Sequence, residues 1–335
     1  MTCRPRRHNN AQKTPGLIAG SLLSVKDNCI MKIYSAPLQG YTGPEWRALH
    51  AGMFGGVDTY CSPFLRVEKG APRTRDLKAI ALSDDAPAVL PQILFRDTDE
   101  FRILADAVIA AGHDRMDLNL GCPFPPQVKH GRGAALLRNP ALLEKLSGIM
   151  REQYPNVTFS AKMRLGVERG DEWRGIIDIL NDMPLSHLAV HPRVAVQQYG
   201  GELWMDEFDN LLASTSIPVI YNGDILIPAD CLSIAARYPR LEGMMIGRGL
   251  LARPSLAAEI KSGSEWDEQR RLDALVDINT ALLDIYSDKL CGDAQILSKI
   301  KPYWDYAEPL IGRKAAKAIR KATTMTAYTS AIAKI

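Results

Sequence analysis

One thiol stands where chemistry is possible. In Asp117-Leu118-Asn119-Leu120-Gly121-Cys122-Pro123 an apolar strand runs into a tight turn and delivers Cys122 at its end. Gly121 permits a backbone that other residues resist, and Pro123 stops further strand pairing. The loop Gly131-Arg132-Gly133-Ala134-Ala135 follows, glycine-rich and basic. The competing reading is a small buried hydrophobe, the commoner fate of a free cysteine. Lys162 lies inside an otherwise apolar strand, where an unpaired ammonium is costly. It needs an anionic partner, a ligand carbonyl or a structural carboxylate such as Asp117. Gln92 can donate and accept at the edge of a heterocycle or be a satisfied core amide. His191 can face a ligand or bond to backbone. Asn222-Gly223-Asp224 and Gly247-Arg248-Gly249 allow close backbone approach and supply a guanidinium that forks onto phosphate.

The elements that must position these groups alternate. Strands are expected at 32–36, 57–61, 88–94, 115–119, 156–162, 186–190, 217–221 and 242–246. Helices are expected at 45–53, 98–111, 139–153, 172–181, 206–213 and 229–236, with a short one after Pro254. Eight strand–helix units in about 220 residues match the rhythm of an α/β fold, the (β/α)₈ TIM barrel. Its site lies at the C-terminal ends of the strands, and the loops after strands seven and eight form its common phosphate site. The residues falling at those ends are Pro37, Leu38, Gln39, Gln92, Asn119, Cys122, Lys162, Arg164, His191, Arg193, Asn222, Gly223, Asp224, Gly247 and Arg248. After about residue 260 strands give way to helices at 266–286, 294–306 and 313–326, a small C-terminal helical domain over 261–335. Residues 31–260 make the barrel. Residues 1–30, basic at the start with no acid before Asp27, read as an extension outside the fold.

Composition excludes several classes. No window approaches the ~20 apolar residues of a membrane span. The six cysteines are scattered with no CxxC pair, which argues against zinc and against a disulfide framework and fits a reducing cytoplasm. No metal-ligand spacing, Walker A loop or GxSxG elbow occurs. Net charge is +3, yet residues 298–335 alone carry eight Lys/Arg and two acids, a net +6. Such a segment suits a polyanion contact or a solvated helix face.

The chain resembles the tRNA-dihydrouridine synthases, flavoenzymes with an FMN-bearing barrel and a helical C-terminal domain. The resemblance rests on Ala36-Pro37-Leu38-Gln39-Gly40, Gln92, Asn119-Leu120-Gly121-Cys122-Pro123, Gly131-Arg132-Gly133-Ala134-Ala135, Lys162-Met163-Arg164-Leu165-Gly166, His191-Pro192-Arg193, Asn222-Gly223-Asp224-Ile225 and Met245-Ile246-Gly247-Arg248-Gly249. These come in the family's order over about residues 31–255. The resemblance implies FMN, with its phosphate on Asn222, Gly223, Asp224, Gly247 and Arg248. Pro37, Leu38 and Gln39 would lie along the ring, Gln92 and Lys162 at its polar edge, and His191 would help seat it. It implies NADPH as electron donor and a uridine in tRNA as substrate, extruded into the pocket. Hydride would go to C6 and a proton from Cys122 to C5. Asn119, Arg164 and Arg193 would meet the substrate. The tail's Lys299, Lys301, Arg313, Lys317, Arg320 and Lys321 would meet tRNA phosphates, with the protein a monomer in the cytoplasm. The short tail leans toward the bacterial subfamily acting on position 16.

Departures from the family pattern are Leu38 where Met is usual, Pro192-Arg193-Val194-Ala195 after the histidine, and the stiff loop Phe124-Pro125-Pro126. Two rivals stand beside this reading. One is an FMN barrel acting on a free small molecule such as dihydroorotate or a dihydropyrimidine. The other is a tRNA-binding barrel without activity.

Overall fold

Among the described residues, eight parallel strands go round in a ring: Lys32–Ser35, Thr59–Cys61, a strand in two pieces (Val89–Leu90 and Gln92–Leu94), Arg115–Leu120, Thr158–Gly166, Leu185–Val194, Val219–Tyr221 and Gly243–Ile246. Each pairs with the next, and the last pairs with the first from Lys32↔Gly243 to Ser35↔Ile246. Pro91 divides the third strand because it has no amide hydrogen for the ladder. Its carbonyl still accepts from Asp117 N at 2.8 Å. The expected (β/α)₈ barrel is therefore the fold. The computed structural model describes residues 31–83 and 86–335, and the extension expected at 1–30 lies outside them.

The period of two along each strand sorts side chains into two cores. Ile33, Tyr60, Met116, Leu118, Phe159, Met163, Val190 and Met244 belong to the large apolar cluster between strands and helices. Tyr34, Ala36, Cys61, Leu90, Ala189, Ile220 and Met245 form a smaller cluster inside the ring. The same alternation puts Gln92, Asp117, Asn119, Ser160, Lys162, Arg164, His191 and Asn222 on the inner side. The outer helices form where caps and apolar stripes agree. Asp97 accepts from Asp99 N and Glu100 N to start Thr98–Ala110, which buries Phe101, Leu104, Ala105 and Val108.

Strands five and six outrun their expected ends. They continue to Gly166 and Val194 because they pair with each other through Arg164↔His191 and Gly166↔Val194. An insertion after strand two was not expected. Leu65–Glu68 and Ala71–Pro72 form an antiparallel hairpin whose base pairs with strand three, and helix Thr74–Lys78 follows.

The tail folds as Glu268–Lys289, Asp293–Ile300, a 3₁₀ turn Lys301–Tyr306, Glu308–Lys321 and Met325–Ile332. Pro302 tightens the second expected helix into the 3₁₀ turn, and Gly312, at φ 78°, breaks Glu308–Lys321. Residues 31–335 cluster as one unit, and Leu275, Ile278, Ile300 and Trp304 join the barrel's own apolar cluster. Tyr303 donates to the Tyr41 carbonyl at 2.7 Å, tying the tail to the loop after strand one. No helix among the described residues is long and apolar enough to cross a membrane.

Candidate active site

The C-terminal ends of the strands open into a cavity of about 830 Å³, in the upper part of the roughly 300–1,000 Å³ usual for small-molecule sites. Its wall brings together Pro37, Leu38, Gln39, Asn119, Cys122, Lys162, Arg164, His191, Asn222, Gly223, Asp224, Gly247 and Arg248. Gln92, Arg193 and the basic residues of the tail do not line it.

Cys122 is held from behind by a polar chain that crosses three strands. Asn119 Oδ1 accepts from Cys122 N at 2.8 Å and from Gly121 N at 3.1 Å. Asn119 Nδ2 donates to Gln92 Oε1 at 2.6 Å, and Gln92 Nε2 donates to Asp117 Oδ2 at 2.7 Å. Ser160 donates to Asp117 Oδ1 at 2.6 Å. The carboxylate can only accept, so it sets the orientation of both amides. Gln92 is thus a satisfied core amide, and Asn119 restrains the thiol's loop. Gly133, at φ 63°, brings the next segment against the thiol; a Cβ there would lie 2.7 Å from Cys122 Cβ. Arg132 is not free beside the thiol. Its Nε donates to Glu100 Oε2 at 3.0 Å and its terminal nitrogen to Oε1, locking the loop to helix Thr98–Ala110. Burial pushes the half-buried Cys122 thiol above its ordinary range, against the Phe124 N–H and the charges of Arg164 and Lys162. The thiol therefore holds its proton at neutral pH.

Lys162 makes no hydrogen bond or ion pair with any described residue. Asp117, its candidate partner, has given its oxygens to Gln92 and Ser160 and acts on the lysine only through charge. Burial pulls the ammonium down to about 8, helped by the charge of Arg164. Burial likewise pushes Asp117 up to about 6, against its two hydrogen bonds.

Arg193 sits behind the wall. It donates to Asp224 Oδ1 at 2.9 Å, to the Gly201 carbonyl at 2.8 Å and to His191 Nε2 at 3.2 Å. It ties strand six and the following loop to the strand-seven loop, and is not placed to meet a substrate. Because His191 Nε2 accepts, the ring proton is assigned to Nδ1. Burial, then the charges of Arg164 and Lys162, hold His191 well below its ordinary pKa, so the ring is neutral. Arg248 donates to Asp224 Oδ1 at 2.7 Å. Burial alone would raise Asp224, but Arg193 and Arg248 outweigh it and keep the carboxyl below its usual range. The two expected phosphate loops meet at Gly249, where a Cβ would fall 2.1 Å from the Ile225 carbonyl oxygen.

Several wall residues escaped the sequence reading. Tyr199 lies on the long loop after strand six, with Arg248 4.8 Å and Arg164 5.6 Å from its ring centre. An aromatic just before Gly200-Gly201 in a polar loop was the available signal. Arg66, Arg73 and Arg75 come from the inserted hairpin and helix, and Tyr306 comes from the tail. Of the six tail residues expected to meet tRNA, Lys299, Arg313, Lys317, Arg320 and Lys321 are exposed. Lys301 instead donates to the Ala322 carbonyl at 2.8 Å, and Arg320 pairs with Glu308 at 2.9 Å and Asp305 at 3.7 Å.

The family model described as dihydrouridine synthase matches residues 34–302. The chain belongs to the dihydrouridine synthase family. The match spans the barrel and the tail's first helices, so every residue on the cavity wall except Tyr306 falls within it. The chain is 31% identical over 238 residues to the tRNA-dihydrouridine(16) synthase of Neisseria meningitidis serogroup A, covering 69% of this chain and 71% of that one. It is 30% identical over 239 residues to tRNA-dihydrouridine synthase B of Yersinia pestis, covering 70% and 71%. The tRNA-dihydrouridine(16) synthase of Cupriavidus necator is 29% identical over 253 residues, covering 71% and 77%. Relatives of both names stand at the same distance, so identity does not favour position 16.

Proposed function

We propose that this family member reduces a uridine in tRNA to 5,6-dihydrouridine, with FMN as bound cofactor and NADPH as reductant. The observation that carries the proposal is that a protonated thiol and an unpaired ammonium, Cys122 and Lys162, face one cavity large enough for a nucleotide cofactor and a base.

The residues present fit FMN. Lys162 lacks an acceptor among the described residues, and a flavin's polar edge supplies one. His191 offers Nδ1–H. Pro37, Leu38 and Gln39 give a wall for a flat ring, and Asn222, Gly223, Asp224, Gly247 and Arg248 give a phosphate site. When bound, FMN reduced by NADPH supplies the hydride that goes to C6 of uracil. Cys122 donates its proton to C5 and regains one from solvent. The Asp117–Gln92–Asn119 chain keeps the thiol in place, and Arg164 adds positive charge beside it. The uridine must be extruded to enter, at a cost of a few kcal/mol, and the rest of the tRNA is held by shape and phosphate. The exposed tail residues Lys299, Arg313, Lys317 and Lys321 serve that end. A tRNA substrate suits the cytoplasm.

The test is product analysis. Purified protein given NADPH and unmodified tRNA should yield dihydrouridine in a nuclease digest read by mass spectrometry. Equal reduction of free uridine, or no reduction of tRNA, would overturn the proposal.

A further inference from the structure

The hairpin and helix between Leu65 and Lys78 carry Arg66, Lys69, Arg73, Arg75 and Lys78 against Glu68 and Asp76, a net +3 that equals the charge of the whole chain. The insertion lies outside the barrel ring, but its base is fixed by the pairing of Leu65 and Arg66 with Ile93 and Leu94. Its turn is the two-residue kind that suits strand twist, with Lys69 at φ 53° and Gly70 at φ 80°. Arg66, Arg73 and Arg75 line the cavity. Their acids do not consume them. Arg66 meets Glu68 at 3.3 Å, Arg73 stands 3.7 and 3.9 Å from Glu68 and Asp76, and Arg75 stands 3.5 Å from Asp76. Buried Arg132, by contrast, forks onto Glu100 with two bonds. Arg66 Nε is shut off from water and has no hydrogen-bond partner among the described residues, a state that costs free energy and that a small movement of the side chain toward an acceptor relieves. Phe124 lines the same cavity and is 57% exposed.

We infer that Arg66, Arg73 and Arg75 hold the tRNA phosphodiester backbone beside the uridine that enters the cavity. Guanidinium groups fork onto phosphate oxygens, and the hairpin and the helix after it present three of them from a backbone anchored to strand three. Phe124 offers a face on which a neighbouring unpaired base stacks. The inference rests on the proposed function and adds a second phosphate-binding surface, on the barrel, to the tail.

The test is binding of unmodified tRNA by the holoenzyme across a salt series, for wild type, for Arg66→Gln with Arg73→Gln and Arg75→Gln, and for Arg75→Glu alone. The last changes a side chain that is 69% exposed, and thermal melts of both variants separate a loss of fold beside Asp76 from a loss of binding. The triple variant should bind roughly 10–100-fold more weakly, and its log–log salt slope should be shallower by about 0.7–0.9 for each phosphate no longer neutralised. Arg75→Glu should show part of the same effect. Unchanged affinity and slope in both would overturn the inference. So would a raised KM for NADPH with tRNA binding intact, which would assign the arginines to the reductant's phosphate. A wild-type protein that binds no tRNA would remove the proposed function itself, a result distinct from either.

Discussion

Asn119 fixes Cys122 through the backbone: one side-chain oxygen accepts both the Gly121 and the Cys122 N–H, at 3.1 and 2.8 Å. The thiol's position is thus set by a residue three places earlier, itself oriented by Gln92 and Asp117. Asn119→Ala frees two N–H groups and breaks the chain at its cavity end. We expect kcat to fall about 10–100-fold, in line with the cost of a misplaced reacting group. Stability should fall by about 1–3 kcal/mol for the donors left unpaired. Steady-state kinetics and urea unfolding together check both.

Lys162 gives a pH signature. Its ammonium sits at about 8, so charge is present below that pH and lost above it. If the cation serves the reaction, kcat/KM falls at high pH, along a limb that lies above the apoprotein value because a flavin acceptor favours the charged lysine. Lys162→Arg moves that limb upward, since guanidinium stays charged. The sign for folding is opposite. The folded pKa lies below the unfolded value of about 10.4, so apoprotein stability rises between pH 8 and 10. Thermal melts at pH 7 and 9.5 should show a larger gain for wild type than for Lys162→Met.

The tail's charges divide into free and spent. Arg313 and Lys317 are exposed on the helix that restarts after Gly312. Arg313→Glu with Lys317→Glu should weaken tRNA binding with a shallower salt dependence and leave the melting temperature unchanged. Arg320→Glu differs, because it sets a carboxylate against Glu308 and Asp305, and it should lower the melting temperature. Binding titrations and melts on both variants separate the two roles.

The barrel was legible because each strand is an apolar run bounded by turn residues, and the inward residues follow from a period of two. Tertiary pairing was not. Arg132 and Arg193 read as available cations, yet their partners Glu100 and Asp224 lie 32 and 31 residues away. Gln92 and Asn119 read as two separate ligand contacts, yet they bond to each other across 27 residues. The inserted hairpin escaped notice although Leu65-Arg66-Val67-Glu68 alternates apolar and polar, because the run is only four residues long and its Lys69-Gly70 turn lacks the usual Asn-Gly signal. Tyr199 sits in a loop whose course depends on Arg193 holding Gly201.

The most direct test concerns the Cys122 proton. Wild type and Cys122→Ala are reduced with NADPH without oxygen, mixed with unmodified tRNA in a stopped-flow instrument, and followed by flavin absorbance. We expect the variant to hold flavin and bind tRNA as wild type does, and to be re-oxidised about 10²–10⁴-fold more slowly, the usual contribution of a positioned general acid. Re-oxidation of the variant at the wild-type rate would contradict the assignment of Cys122 as the acid.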